Sequence, residues 1–191
     1  MVRPDVIVAG AGPAGSVAAA ALAKQGLRVV ICDRAAFPRD KTCGDALIAD
    51  ALGVIDTLGL AGRILPRTRT SSALDVMTPA GVTASIPGTL RVLPRRELDA
   101  ILLEHAIENG AEFRQLSIDA PIGDGDRVDG VVARHSSGRA VEVRAPLTVL
   151  ATGANGAALR AFDPSARSEA SGTALRVYAR PRGGAMDGAA G

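Results

Sequence analysis

The residues best placed to do chemistry are Gly10-Ala-Gly12-Pro13-Ala14-Gly15, which follow the apolar run Val6-Ile-Val-Ala9 and precede an alanine-rich stretch. Glycines at this spacing between a strand and a helix make a turn whose backbone N–H groups face an anion. Gly10 lets the chain turn out of the strand, Gly12 leaves room for a pyrophosphate against the backbone, and Gly15 lets the helix pack closely. Pro13 suits the first helical turn, where its missing N–H would have had no partner. The helix dipole adds about +0.5 charge facing the phosphates. The next apolar run, Leu27-Arg-Val-Val-Ile-Cys32, ends on Asp33, followed by Arg34. An acid there accepts both hydroxyls of an adenosine ribose and disfavours a 2′-phosphate. The spacing therefore predicts a bound adenine dinucleotide, and argues against NADP in this slot.

The elements that must position these residues are legible in the hydrophobic pattern. Val6–Ala9 reads as a buried parallel strand, 14–25 as a helix stopped by Gly26, and 27–32 as a second strand. A loop over 34–45 follows, and helical spacing resumes at Ala46 and runs to Gly59. Residues 73–78 and 82–86 flank Pro79-Ala-Gly81 as a hairpin. A helix is expected over 94–109, with Leu98, Ile101, Leu102, His105 and Ala106 on one face. Residues 111–115 suit the parallel sheet. Residues 116–122, 127–135 and 140–144 suit an antiparallel meander, with turns at Gly123-Asp-Gly125 and Ser136-Ser-Gly138. A last buried strand at 147–151 leads into Thr152-Gly153-Ala-Asn-Gly156. The expected fold class is α/β.

Composition narrows the function further. At 191 residues and 47% hydrophobic, the chain can bury the core of one ordinary domain. Its 22 basic and 20 acidic residues are scattered, and aromatic residues make up 2% with no Trp, so neither a phosphate-tracking stripe nor a stacking platform for nucleic acid is present. Cys32 and Cys43 form no Cys-x-x-Cys pair. With only His105 and His135 beside them, no metal site is expected. No apolar run has the length of a membrane span, and the first strand starts by Asp5, so a cytoplasmic protein is expected.

Four blocks, in this order, resemble the flavoprotein family of geranylgeranyl reductases, aromatic hydroxylases and flavin-dependent halogenases. They are the glycine fingerprint, Phe37-Pro-Arg-Asp-Lys-Thr-Cys43-Gly44-Asp45, Leu93-Pro-Arg95-Arg-Glu-Leu-Asp99, and Val149-Leu-Ala-Thr-Gly153-Ala-Asn-Gly156 with Arg160. The likeness covers about residues 1 to 178 and is strongest to the geranylgeranyl reductase branch, which reduces isoprenoid double bonds with FAD. The resemblance implies a Rossmann-like FAD-binding domain over 1–162. Residues 163–191 would hold the start of a truncated substrate domain and a disordered tail, and the 73–86 hairpin would pair with the substrate-domain sheet.

The resemblance also implies that FAD is held by Gly10, Gly12, Pro13, Ala14, Gly15, Asp33, Arg34, Cys43, Gly44, Arg95 and Gly153, with NAD(P)H as an available electron donor. A Thr-Cys-Gly turn can offer backbone N–H groups to the reduced ring, and Cys43 could tune or protonate a reacting carbon; an inert loop thiol is the other reading. One of Arg95 and Arg96 is expected on a phosphate and the other in solvent. Asp99 is expected to be structural. Hydroxylases of the family carry Asp-Gly where this chain has Thr152-Gly153, which weighs against hydroxylation. The expected partner is a small-molecule or lipid-like substrate, with peripheral membrane contact and self-association through unpaired strands also open. Two other readings stand beside the reductase: an FAD monooxygenase or halogenase, and a non-catalytic dinucleotide-binding fragment.

Overall fold

The computed structural model describes residues 3–124, 127–154, 156–166 and 172–178. In chain order the elements are β1 (Val6–Ala9), α1 (Pro13–Lys24), β2 (Val29–Asp33), β3 (Ala46–Leu47), α2 (Ala49–Thr57), α3 (Ala61–Ile64), β4 (Arg69–Met77), β5 (Thr83–Val92), α4 (Arg95–Glu108), β6 (Glu112–Gln115), β7 (Ser117–Gly123), β8 (Val128–Arg134), β9 (Ala140–Arg144), β10 (Leu147–Leu150) and α5 (Gly156–Phe162). They fall into two compact units. The first is drawn from residues up to Arg39 and from Arg96 to Gly172, the second from Asp40 to Arg95 and from Thr173 onward.

The first unit is built on a four-stranded parallel sheet in the order β10-β1-β2-β6. Its strands alternate side chains between two apolar layers. Val6, Val8, Val29 and Ile31 meet Ala19, Ala20 and Ala23 of α1 and Leu103 and Ala106 of α4. Ile7, Val30 and Cys32 meet Leu116, Val131, Ala133 and Val143 from the antiparallel sheet β7-β8-β9 and the segments beside it. Burial on both faces is why these strands read as unbroken apolar runs rather than alternating ones. Each such Val or Ile contributes roughly 1.5–3 kcal/mol. The second strand starts at Val29 instead of Leu27, because the Arg28 N–H goes to the Asp5 carboxylate at 2.9 Å.

The second unit is a three-stranded antiparallel sheet, β3-β5-β4, with α2 and α3. Two sequence expectations are corrected here. The helix expected from Ala46 starts at Ala49, because Asp45 is left-handed (φ 61°) and Ile48 extended, while Ala46 and Leu47 pair with Val92 and Arg91. The hairpin strands also run past Pro87 and Gly88 to Arg69–Met77 and Thr83–Val92. A bulge, with Gly88 and Thr89 opposite Ser72, lets the ladder continue past the expected end at residue 86.

Residues 172–178, in the stretch expected to start the substrate domain and to read as its first strand over 173–178, carry no regular structure; a strand needs a neighbour to take its backbone hydrogen bonds. Asn155, part of the expected hairpin turn at Gly125, and the tail from residue 179 lie outside the described residues. No helix among the described residues is long and apolar enough to cross a membrane, and none of their His, Cys, Asp or Glu side chains group as a metal site.

Candidate functional site

In the first unit the glycine turn, Asp33 and Thr152-Gly153 all stand at the carboxyl ends of parallel strands, the end at which open α/β sheets take their ligands. Gly10 has φ 106°, and a side chain there would meet the Ala151 carbonyl oxygen at 2.4 Å. A Cβ on Gly15 would lie 1.8 Å from the Gly10 carbonyl oxygen and 3.2 Å from the Ala151 Cβ. Gly10 makes the tight turn and Gly15 the close packing expected of each, and their surroundings join the start of α1 to the segment after β10. The Ala151 N–H, donating to the Ala9 carbonyl at 2.8 Å, extends the same junction.

Gly12 is the residue before α1, with Pro13 at its first position and Ala14 next. No side chain caps this end and no acid stands in its first turn, so the first-turn N–H groups of Ala14 and Gly15 are left for an anion. The Ser16 hydroxyl, fully buried, donates to the Ala11 carbonyl at 3.2 Å and steadies the turn from beneath.

Asp33 has a role beyond the one expected. Its Oδ2 accepts the Ala11 N–H at 2.9 Å and its Oδ1 the Ala35 N–H at 3.0 Å, which ties the glycine turn to the end of β2. An ionised carboxylate has about four acceptor positions, so two remain for ribose hydroxyls. Arg34 is exposed, and its carbonyl accepts the Gln115 side-chain amide at 3.3 Å. Gly153 is left-handed (φ 61°), and a Cβ there would meet open space.

Arg39 was not singled out from sequence, and it orders the segment after Asp33. Its guanidinium lies 4.8 Å from the Phe37 ring centroid, 3.0 Å from Asp99 Oδ2 and 4.0 Å from Asp33 Oδ2. Phe37 in turn packs edge-on against Phe113 at 5.8 Å. Asp99 is 0% exposed. The sequence did contain a signal: Asp99 lies beside Leu98 and three residues before Leu102 on the buried face of α4, and a charge there demands a partner.

The two cysteines differ sharply. Burial pushes the Cys32 thiol up to about 12, so it is a packed and inert group. Cys43 is half-buried in the second unit. Gly44 beside it is exposed, with open space where a Cβ would stand. Arg95 is half-buried and Arg96 exposed, and the Arg95 N–H donates to Asp45 Oδ1 at 3.2 Å. Asp45 and Tyr178 are further residues that sequence reasoning missed. The Tyr178 hydroxyl donates to Asp45 Oδ2 at 2.7 Å, and this bond to a carboxylate raises the phenol's pKa, which keeps it a donor.

A turn shaped by glycines that tolerate no Cβ, with free helix N–H groups and an acid at the next strand end, fits a dinucleotide pyrophosphate and ribose. The family model described as FAD binding domain matches residues 3–178. The chain belongs to that family. As an FAD-binding domain it resembles proteins of several activities. It is 40% identical to a menaquinone reductase of Mycolicibacterium smegmatis over 68% of its own length and 34% of that protein's. It is 38% identical to digeranylgeranylglycerophospholipid reductase 2 of Methanopyrus kandleri, over 78% of this chain and 37% of the other. Among solved structures, a flavin-dependent brominase superposes with a TM-score of 0.70 at 28% identity, covering 81% of this chain and 39% of the brominase. The chain spans about a third of the length of the curated relatives it matches.

Proposed function

We propose that this chain is the FAD-binding part of an oxidoreductase that reduces a carbon–carbon double bond of an isoprenoid or related lipid-like molecule. The observation that carries the reading is the block Pro38-Arg39-Asp40-Lys41-Thr42-Cys43-Gly44, which resembles the geranylgeranyl reductase branch. Identity to two proteins named as reductases, one for a quinone and one for a digeranylgeranyl lipid, supports it. When bound, FAD supplies the electron pair for the reduction. Gly12, Ala14 and Gly15 offer N–H groups or space to its pyrophosphate, and Asp33 accepts from its ribose. Arg95 supplies a cation for a phosphate, and the Thr42–Gly44 turn offers backbone N–H groups to the ring.

A second reading, an FAD monooxygenase or halogenase, is favoured by the 28% identity and TM-score of 0.70 to the brominase. Thr152-Gly153 in place of Asp-Gly counts against its hydroxylase form. The test is product analysis with FAD, NAD(P)H or dithionite and a polyprenyl lipid under nitrogen. A product heavier by two hydrogens supports the reductase. Products that require oxygen or halide support the second reading, and no turnover under either condition points to a non-catalytic binding module.

A further inference from the structure

Asp45 combines four features that nothing in the flavin-binding role assigned so far uses. It is 5% exposed, its φ of 61° lies in the left-handed region, and it stands two residues after Cys43. Its carboxylate is also shared among donors from separate stretches of the second unit. Oδ1 accepts the Arg95 N–H at 3.2 Å, Oδ2 accepts the Tyr178 hydroxyl at 2.7 Å, and Arg176 Nη1 stands 3.6 Å from Oδ2. The Asp45 carbonyl takes the Leu93 N–H at 2.9 Å.

Left-handed geometry in a residue other than glycine persists when its surroundings over-determine it. Asp tolerates it better than most residues, yet here the side chain is wholly engaged elsewhere. The segment 173–178 is arranged to serve this acid. Arg176 and Tyr178 turn toward Asp45, with the guanidinium 4.0 Å from the ring centroid, while Leu175 and Val177 between and before them are exposed. A buried carboxylate left without these donors would carry the full desolvation penalty, so the acid and its clasp stand or fall together.

We propose that Asp45 is a positioning residue for the Cys43–Gly44 turn, held in place by the Tyr178 hydroxyl, the Arg95 N–H and the Arg176 guanidinium. This inference rests on the reading of that turn as the part of the chain that serves the flavin ring. The clasp fixes where the Cys43 thiol and the Gly44 N–H stand, so that the turn is set before any cofactor arrives.

Cysteine labelling tests it without turnover. Wild type, Tyr178→Phe, Asp45→Asn and Asp45→Gly are treated with iodoacetamide, and both cysteines are followed by peptide mass spectrometry. Cys32, buried and un-ionised, reports on the integrity of the fold. The expected result is that Cys43 labels about tenfold faster in all three variants, the scale set by losing one hydrogen bond to a charged group, while Cys32 stays protected. Asp45→Gly keeps the left-handed backbone without strain, so a wild-type rate in that variant would mean that the carboxylate does not hold the turn.

If the Asp45 variants expose Cys32 through unfolding, Tyr178→Phe decides, since removing one hydroxyl from an exposed ring opens no cavity. Cys43 rates unchanged in Tyr178→Phe, or Cys32 exposed along with Cys43 in it, overturn the proposal. A separate FAD titration of wild type keeps the two claims apart, because absent flavin uptake defeats the flavin reading and leaves the labelling rates as measured.

Discussion

The two units solve the problem of stability in opposite ways. In the first, β1 is buried at every residue, and Gly10 and Gly15 are packed so closely that a single Cβ collides with backbone. In the second, Leu74 and Ile86 face each other across the hairpin and are 50% and 54% exposed, and β4 is an open sheet edge. The first unit spends its apolar residues on a closed core that shapes an anion site. The second buries Leu60, Ile64 and Leu93 but leaves the apolar residues of its hairpin on the surface, and adds a polar clasp at Asp45. Tolerance to substitution should therefore differ by region even for the same residue type.

Glycine gives the largest expected contrast. Gly15→Val should cost about 4 kcal/mol or prevent folding, since the new side chain meets the Gly10 carbonyl oxygen at 1.8 Å, with FAD uptake lost as well. Gly44→Ala meets nothing within 4 Å and should change stability by no more than about 0.5 kcal/mol. Urea unfolding of the two variants checks both figures. A mild Gly15→Val would break the contrast at its strongest point.

Next in size is Asp99→Ala, which leaves the Arg39 guanidinium beside an empty buried position and should cost about 3 kcal/mol by denaturant unfolding. Loosening of the segment after Asp33 should weaken FAD binding in step.

Cys32 gives a pH-dependent effect. Its thiol is raised in the fold from 9.0 to about 12, so the unfolded chain ionises first. Stability is fully present below about pH 9 and falls at about 1.4 kcal/mol per pH unit as pH rises toward 12. Cys32→Ala should flatten that alkaline limb in pH-dependent unfolding curves.

The smallest effect is expected on the hairpin. Leu74→Thr with Ile86→Thr should leave stability within about 0.5 kcal/mol of wild type while reducing self-association in sedimentation velocity. A large loss would show that this face is covered, and would erase the distinction between the units.

The first unit was legible in the sequence because its local signals agree with its tertiary role. Glycine spacing, unbroken apolar runs and the Gly26 stop each mark a boundary found within a residue or two. The second unit was less legible because its geometry depends on distant partners. Helical spacing at Ala46 to Ile48 was overruled by the left-handed Asp45 and by pairing with Arg91 and Val92. Pro87 and Gly88 were absorbed by a bulge on their own strand, with Gly88 and Thr89 opposite Ser72 alone. In the candidate site, Gly10, Gly15 and Asp33 could be read one residue at a time. Arg39 with Asp99, and Asp45 with Tyr178, are pairs whose members are far apart in sequence, so a local pattern can mark Asp99 as needing a partner but cannot name that partner.

The proposed function and the contrast between the units both depend on FAD being held at the first unit's glycine turn and Asp33. The most direct measurement is an absorbance titration of purified wild-type protein with FAD, with equilibrium dialysis for affinity and circular dichroism to confirm folding. Saturable, stoichiometric uptake with a perturbed flavin spectrum is expected, lost in Asp33→Ala while the fold survives. A folded wild-type protein that takes up no FAD, or one that binds it equally well without the Asp33 carboxylate, would contradict it.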